Sequence, residues 1–149
     1  KKRLVKLLKH CNISMMGMED NIMRLIVAGG RDFKDYHLLK ETLDNFQQQY
    51  GNITEVVSGT AIGVDKLGER YANENNIQIK RFIPDWKGLG KKAGFVRNRQ
   101  MGDYAKEHNG MLVAFWDKQS KGTKGMIDYA NKIGLKSAVV YYNVEVGND

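Results

Sequence analysis

The sequence predicts an α/β fold of Rossmann-like design: a doubly wound, mainly parallel five-stranded sheet with helices on both faces. Three observations predict it. Short apolar runs alternate with amphipathic stretches, glycine or proline follows several of these runs, and no repeat or linker interrupts the alternation after residue 22. Alternation of this kind is typical of a parallel sheet that is covered on both faces.

Five apolar runs are the predicted strands. Each has the length of a buried strand, and most end at a glycine, a proline or a polar turn. The run at 111–115 is the most apolar, so we expect it near the centre of the sheet. In chain order the predicted strands are 24–28, 55–58, 77–83, 111–115 and 136–142.

Four stretches with apolar residues at helical spacing separate these strands. The first begins at Asp35, a residue type that caps helix N-termini, and the last ends at Gly134. Along the first stretch, Leu39 and Leu43 share one face. In chain order the predicted helices are 35–50, 62–75, 93–107 and 122–133.

Length and composition exclude several classes of protein. The chain of 149 residues is long enough for one domain with its own core, which we assign to residues 23–149. One cysteine, Cys11, excludes a disulfide framework, and the three histidines lack metal-ligand spacing, so no metal site is predicted. No apolar run approaches the roughly 18 residues that span a bilayer, so no membrane partner is expected. A reducing, cytoplasmic location fits best.

The net charge of +7 is concentrated at the start of the chain. Residues 1–18 hold five of the 24 basic residues and no acidic residue, so the remaining chain is close to neutral. Leu4, Leu7 and Leu8 lie at helical spacing among lysines, which allows a short amphipathic helix. We treat residues 1–22 as a basic leader of uncertain order, either dispensable to the fold or packed as a helix or assembly contact.

The residues that packing explains least lie in four loops that follow predicted strands. In an open parallel sheet, ligands bind at the carboxyl ends of the strands, near the point where the strand order reverses. Four loops at that edge therefore predict a ligand site. Its candidate residues are Gly29, Gly30, Arg31, Asp32, Ser58, Gly59, Thr60, Asp65, Trp86, Arg97, Asn98, Trp116, Asp117, Ser120, Lys121, Gly122 and Thr123.

The first of these loops is suited to phosphate. The Gly29–Gly30 pair lets a ligand approach the backbone closely, and the Arg31 guanidinium can hold a phosphate through two hydrogen bonds. A structural ion pair of Arg31 with Asp32 or with Asp65 is the alternative interpretation.

Two further loops open predicted helices, whose N-termini favour anions. In the loop at 58–60, capping of the helix by Thr60, with Asp65 near the positive end of its dipole, is the alternative to ligand binding. The SKGT stretch at 120–123 is a second candidate phosphate cradle. It lacks the GxxxxGK[ST] spacing of a P-loop, so ATP hydrolysis by that route is not expected.

Two tryptophans and two carboxylates complete the predicted site. Trp86 and Trp116 are candidates to stack on a base, although a tryptophan belongs more often to the core than to a ligand site. Asp65 or Asp117 would accept hydrogen bonds from ribose hydroxyls. The predicted partner is thus a small nucleotide-type ligand, with no cofactor required.

Four motifs, taken in order, resemble the SLOG superfamily, which includes the DNA-processing protein Smf/DprA and the Lonely Guy enzymes. They are GGRDF at 29–33, SGTAIGVD at 58–65, PDW at 84–86 with GKKAGFVRNRQM at 90–101, and WDKQSKGT at 116–123. The resemblance covers residues 23–142 and is greatest to a small bacterial and phage branch. It implies a Rossmann-like fold, a site for nucleotides or NAD-related ligands, and a homo-oligomer.

Lonely Guy enzymes cleave the N-glycosidic bond of nucleoside monophosphates, and their signature is an RKxxM helix followed by PGGxGTxxE. The RNRQM stretch at 97–101 resembles the first part, and SKGT resembles the phosphate-binding turn. The acidic residue of the second part falls at Met126, which cannot ionise. Hydrolysis would then need another carboxylate to stabilise positive charge in the transition state. The candidates for catalysis are Arg97, Asp32 and Asp65, with Asp117 as a further carboxylate.

Three functions follow as hypotheses. The first is a domain that senses or sequesters ADP-ribose, NAD or a signalling nucleotide, in a phage or bacterial defence context that the resemblance implies. The second is a Lonely Guy-like hydrolase. The third is nucleic-acid binding, which the near-neutral body disfavours. It is supported by lysines near the predicted site, namely Lys87, Lys91, Lys92, Lys118, Lys121 and Lys124.

Overall fold

Six strands and five helices make up the part of the chain that the structure, a computed structural model, describes: residues 4–7 and 22–144. The strands are β1 Leu4–Leu7, β2 Arg24–Gly29, β3 Glu55–Ser58, β4 Gln78–Arg81, β5 Met111–Trp116 and β6 Lys136–Tyr141. The helices are α1 Tyr36–Tyr50, α2 Val64–Glu74, α3 Trp86–Leu89, α4 Ala93–Lys106 and α5 Lys121–Ile133. A 3-10 turn, Gly90–Lys92, joins α3 to α4.

The strands form a single sheet in the order β1-β6-β5-β2-β3-β4. All neighbours from β2 to β6 pair in parallel, so the predicted Rossmann-like, mainly parallel arrangement is confirmed. The chain moves outward from β2 through β3 to β4, then returns to the other side of β2 for β5 and β6. The strand order therefore reverses between β2 and β5, the most apolar strand, which lies near the centre as predicted.

The edge strand β1 was not predicted. It pairs antiparallel with β6, with Leu4 opposite Tyr141 and Leu7 opposite Ala138. A strand thus replaces the amphipathic helix that the leucine spacing allowed, because the outer edge of β6 offers backbone groups for pairing. The rest of the predicted leader, residues 1–3 and 8–21, lies outside the described residues.

The core has two layers, one on each face of the sheet. Leu25 and Val27 of β2 pack against α1 and α2, whereas Ile26 and Ala28 of the same strand pack against α4 and α5. Because side chains of a strand alternate between faces, a strand covered on both sides is apolar throughout. No helix in the described ranges combines the length and apolarity needed to cross a bilayer.

Hydrogen bonds at the helix ends explain why two helices start where the sequence predicts. The Asp35 carboxylate accepts a hydrogen bond from the Leu38 amide at 3.0 Å, which confirms Asp35 as the cap of α1. Ser120 caps α5 in the same way, through the Thr123 amide at 3.2 Å. Helix α5 ends at Gly134, as predicted.

Helix α2 begins later than predicted. Its N-cap is Gly63, with φ +84°, and Thr60 does not cap it. A Cβ at this position would lie 2.3 Å from the Gly30 carbonyl oxygen, and the Val64 amide donates to that same oxygen at 3.2 Å. The start of α2 therefore depends on contact with the loop after β2, which local sequence does not show.

The segment after β4 was interpreted as loop and contains α3. Asp85 accepts a hydrogen bond from the Gly88 amide at 2.9 Å, which caps this short helix. The preceding strand β4 ends at Arg81, two residues short of its predicted end, because it is an edge strand that pairs only with β3 among the described strands.

Candidate functional site

A cavity of about 410 Å³ lies at the carboxyl edge of the sheet, beside the point where the strand order reverses. Its volume falls in the range of sites that bind small molecules. Loops after β2, β3, β4 and β5 and the first turns of α4 and α5 form its walls. The four loops that the sequence analysis selected therefore do meet at one place.

Eleven of the seventeen predicted site residues line this cavity. They come from all four motifs, so the motif positions converge although up to 94 residues separate them in the chain. The eleven are Gly29, Arg31, Gly59, Thr60, Asp65, Trp86, Arg97, Asn98, Ser120, Gly122 and Thr123.

Six predicted residues lie outside the cavity wall. Two of them, Gly30 and Asp32, belong to a contact with Tyr142: its hydroxyl donates to Asp32 at 2.8 Å and lies against Gly30. Burial and the Asp32 carboxylate raise the pKa of this tyrosine well above its usual range, so it stays protonated. The pair holds the loop after β2 in place.

The remaining four have structural partners or face solvent. Trp116 donates its indole N–H to the Ser120 carbonyl at 3.0 Å, and Asp117 accepts from the Ser120 amide at 2.9 Å, so both shape the loop before α5. Ser58 is fully buried beneath the site and donates to Glu69 at 2.6 Å. Lys121 is exposed on the first turn of α5.

Nine lining residues were not predicted. Most are apolar or small, and their chemistry gave no reason to select them. Lys91, Gly94 and Phe95 lie inside the third motif, so the motif included them although they were not selected as site residues. The nine are Ala28, Ala61, Ile83, Pro84, Lys91, Gly94, Phe95, Met101 and Met126.

Arg97 extends from α4 across the cavity to the loop after β3. Its guanidinium donates to the Gly59 carbonyl through Nη1, and its Nε donates to Asn98 at 3.0 Å. A Cβ on Gly59 would lie 2.7 Å from Nη1, so a side chain there would force the Arg97 guanidinium to shift. Burial lowers the pKa of Arg97 and the nearby Asp65 opposes this shift, yet an arginine remains a cation at any physiological pH.

Asp65 is a buried carboxylate in the cavity wall, 5% exposed. Burial raises its pKa to about 6, against the opposing effects of a hydrogen bond from the Ala61 amide at 3.1 Å and the charge of Arg97. Neither Asp32 nor Asp65 lies within 4.0 Å of Arg31 as an ion pair, although both pairs were considered from sequence. Arg31 is exposed and free to face a ligand.

The start of α5 contributes the Ser120 and Thr123 hydroxyls to the cavity wall, and Ser120 also caps the helix through the Thr123 amide. Ser120 and Thr123 hydroxyls lie 3.0 Å apart, and Asn98 of α4 donates to the Gly122 carbonyl at 3.2 Å. This last bond joins the two helices at the site. Helix N-termini carry positive potential, so the arrangement is suited to an anion.

The cavity has a cationic part and an apolar rim. Arg31, Lys91 and Arg97 are its cations, and Asp65 is the sole carboxylate among its described lining residues. At the mouth, Trp86 and Phe95 are 56% and 53% exposed, which is unusual for large apolar side chains. Within the described residues no three His, Cys, Asp or Glu side chains are grouped as metal ligands.

Comparison with known proteins gives two matches. The model of the family described as "YspA, cpYpsA-related SLOG family" matches residues 23–88, which include the first two motifs and PDW. The Gene 61 protein of Mycobacterium phage D29 is 29% identical over 119 residues, a similarity that covers 75% of this chain and 91% of that protein. No solved structure gives a significant match. The resemblance read from the motifs is confirmed.

Proposed function

We propose, from the similarity of this chain to the SLOG superfamily, that its cavity binds a nucleotide or nucleotide-derived ligand in order to sense or sequester it. The observation that carries the proposal is the charge of the cavity: its described lining residues include three cations and one buried carboxylate, and the N-terminus of α5 forms part of the wall. A cavity with this balance favours an anionic small molecule.

The phosphate would lie between α5 and the two arginines. Ser120 and Thr123 offer hydroxyls there, and the N-terminus of α5 adds its positive potential. Arg97 is already oriented by Gly59 and Asn98, so it would bind a phosphate oxygen without reorganising. Arg31 is exposed and would approach from the loop after β2.

The base would lie at the apolar rim. Trp86 and Phe95 present aromatic rings there, and a ring face stacks on any nucleobase. Asp65 would accept a hydrogen bond from a ribose hydroxyl. We propose ADP-ribose, NAD and signalling nucleotides as the ligands to test first, and the phage relative supports a role in phages or bacteria.

A thermal-shift screen of the full chain against mononucleotides, NAD, ADP-ribose and cyclic dinucleotides tests this proposal. A ligand at 100 times its Kd stabilises a protein by about 2.7 kcal/mol, which raises the Tm by roughly 5–10 °C. We expect at least one compound to do so. The shift should disappear in Arg97→Gln and persist in Arg99→Gln, a matched variant of an exposed arginine on the same helix.

Two results would contradict the proposal. One is that no compound in the panel raises the Tm of the wild-type protein. The other is that Arg97→Gln and Arg99→Gln lower the shift equally, because the cavity would then not be where the compound binds.

A second candidate function is hydrolysis of an N-glycosidic bond, and Asp65 is the observation that favours it. Water would add to the ribose C1′ as the C1′–N bond breaks, with the bond electrons and a proton passing to the base. A carboxylate close to C1′ stabilises positive charge in such a transition state. Asp65 is in the cavity, whereas Asp32 and Asp117 have structural partners outside it.

Product analysis separates the two functions. If the protein hydrolyses the ligand, free base accumulates with time, and Asp65→Asn lowers the rate by about 100-fold or more while the compound still shifts the Tm. If the compound is recovered intact after prolonged incubation, the hydrolase is excluded for that compound and binding alone remains.

A further inference from the structure

Thr60 has a backbone conformation that is unusual for its side chain. Its φ is +69°, in the left-handed region, and it lies in the cavity wall. A β-branched residue in this region is an outlier that is held against backbone strain. Surrounding contacts must therefore supply the stabilisation that keeps Thr60 in place.

Ser58 makes a contact that holds the backbone of Thr60. The Thr60 amide donates to the Ser58 hydroxyl oxygen at 3.1 Å. A serine hydroxyl has one proton, and Ser58 donates it to Glu69 at 2.6 Å. Because that proton is committed to Glu69, the lone pairs of Ser58 remain available to the Thr60 amide.

Glu69 is in turn held by Arg81. It is 6% exposed, on the buried face of α2, and its other carboxylate oxygen lies 3.1 Å from both Nε and Nη2 of Arg81 on β4. Burial opposes its ionisation, but hydrogen bonds from Ser58 and Arg81 outweigh this effect and lower the pKa of Glu69. Glu69 is therefore an anion with a fixed orientation.

We propose that Glu69 is a positioning residue: through Ser58 it holds the Thr60 amide and keeps Thr60 in the left-handed conformation in which it lines the cavity. Glu69 does not touch the cavity itself. With Arg97 bound to the Gly59 carbonyl, the turn at 59–60 is fixed on both sides. The consequence for ligand affinity rests on the function proposed above.

Amide hydrogen exchange of Thr60 in the ligand-free full chain, measured by NMR, tests the chain of contacts directly. We expect Ser58→Ala and Glu69→Ala to raise the Thr60 exchange rate by about tenfold, the effect of one hydrogen bond. Glu69→Gln retains an acceptor for Ser58 and should restore part of the protection. Glu74→Ala is the matched control, because it removes an ion-paired glutamate from the same helix without contact to this loop.

Equal Thr60 exchange rates in Glu69→Ala and Glu74→Ala would overturn the proposal. If the Glu69→Ala variant does not fold, Thr60 exchange in the Ser58→Ala variant tests the proposal instead, since Glu69 is proposed to act on Thr60 through Ser58. Unchanged Thr60 exchange in that variant overturns the proposal equally.

Binding of 5′-AMP, measured by calorimetry, tests the consequence. Glu69→Ala should weaken it by about 3- to 10-fold. In a Thr60→Gly background the same change should have little further effect, because glycine adopts positive φ without support. An equal loss in both backgrounds would show a general structural role and overturn the proposal. If the wild-type protein binds no 5′-AMP, that result counts against the proposed function, and the exchange rates still decide the role of Glu69.

Discussion

Asp65 combines a charge with burial, and this combination controls how the stability of the protein responds to pH. Its carboxylate lies in the cavity wall with no ion pair within 4.0 Å among the described residues, and one backbone amide donates to it. A carboxylate in such surroundings is easier to bury protonated than charged. Sites that bind ligands commonly retain residues of this kind at a cost in stability.

We expect Asp65→Asn to stabilise the protein at neutral pH. The pKa of Asp65 rises from 3.8 in the unfolded chain to about 6 in the fold. Between these values Asp65 is ionised in the unfolded chain and protonated in the folded protein, so the contribution of Asp65 to stability falls as pH rises from about 4 to about 6 and then levels off. The full loss is on the order of 3 kcal/mol. Asparagine keeps an acceptor for the Ala61 amide and does not ionise.

Urea unfolding at pH 4 and pH 8 measures this difference. The variant should be more stable than wild type by up to about 3 kcal/mol at pH 8 and about equal to it at pH 4. The exposed Asp128→Asn is the control, for which we expect a small change at both values. A stability difference between Asp65→Asn and wild type that is no larger at pH 8 than at pH 4 would contradict the assignment.

The loop after β2 and the start of α2 depend on each other. Gly63 brings the N-cap of α2 against the Gly30 carbonyl and the Arg31 backbone, with no room for a side chain. The Val64 amide then donates to Gly30, and Arg31 is presented at the cavity. Two of the four loops of the site are thus one structural unit, joined at a glycine.

Replacement of Gly63 should therefore destabilise the protein strongly. We expect Gly63→Ala to lower the free energy of unfolding by at least about 2 kcal/mol, because both its positive φ and the close Gly30 oxygen exclude a Cβ. Gly122 is the control: it has open space around it on a helix, and Gly122→Ala should stabilise by up to about 1 kcal/mol. Chemical unfolding of both variants measures the effect, and equal values for the two would refute this account of Gly63.

At the scale of the molecule, the cavity and strand β1 lie at different edges of the sheet. The described cavity residues lie between Ala28 and Met126, at the carboxyl edge of β2, β3 and β5. Strand β1 pairs with β6 at one lateral edge of the sheet. Strand β1 and the cavity are consequently separate features, and the basic residues at the start of the chain and those of the cavity are alternative candidates to attract nucleic acid.

Deletion of residues 1–22 separates these features experimentally. It removes β1, so we expect a loss of stability on the order of 2 kcal/mol from the lost backbone pairing. Affinity for a ligand found in the thermal-shift screen should change by less than about threefold. A larger change would show that the leader contributes to the cavity.

If the protein binds DNA and the deletion abolishes that binding, the leader carries it, whereas unchanged DNA binding points to the lysines of the loops.

Sequence predicted more of the fold than of the site. Strand and helix positions were right to within a few residues because apolar periodicity and capping residues are local. Of the predicted site residues, Arg97, Gly59, Ser120, Gly122 and Thr123 line the cavity, because the loops and helix starts that hold them meet at one edge of the sheet. Thr60, which the sequence offered as an alternative helix cap, does not cap α2, because the start of α2 is determined by a loop that precedes it by some thirty residues.

By itself, the sequence determined the five alternating parallel strands, the edge at which the four motifs meet and the concentration of positive charge at the start of the chain. These properties depend on neighbouring residues and on composition. Only the tertiary structure decided which motif residues face the cavity. Ser58 turns inward to Glu69, Asp32 pairs with Tyr142, and Asp65 is left as the buried carboxylate of the site. The physical reason is that hydrogen-bond partners and burial come from segments distant in the chain, and strand order alone brings those segments together.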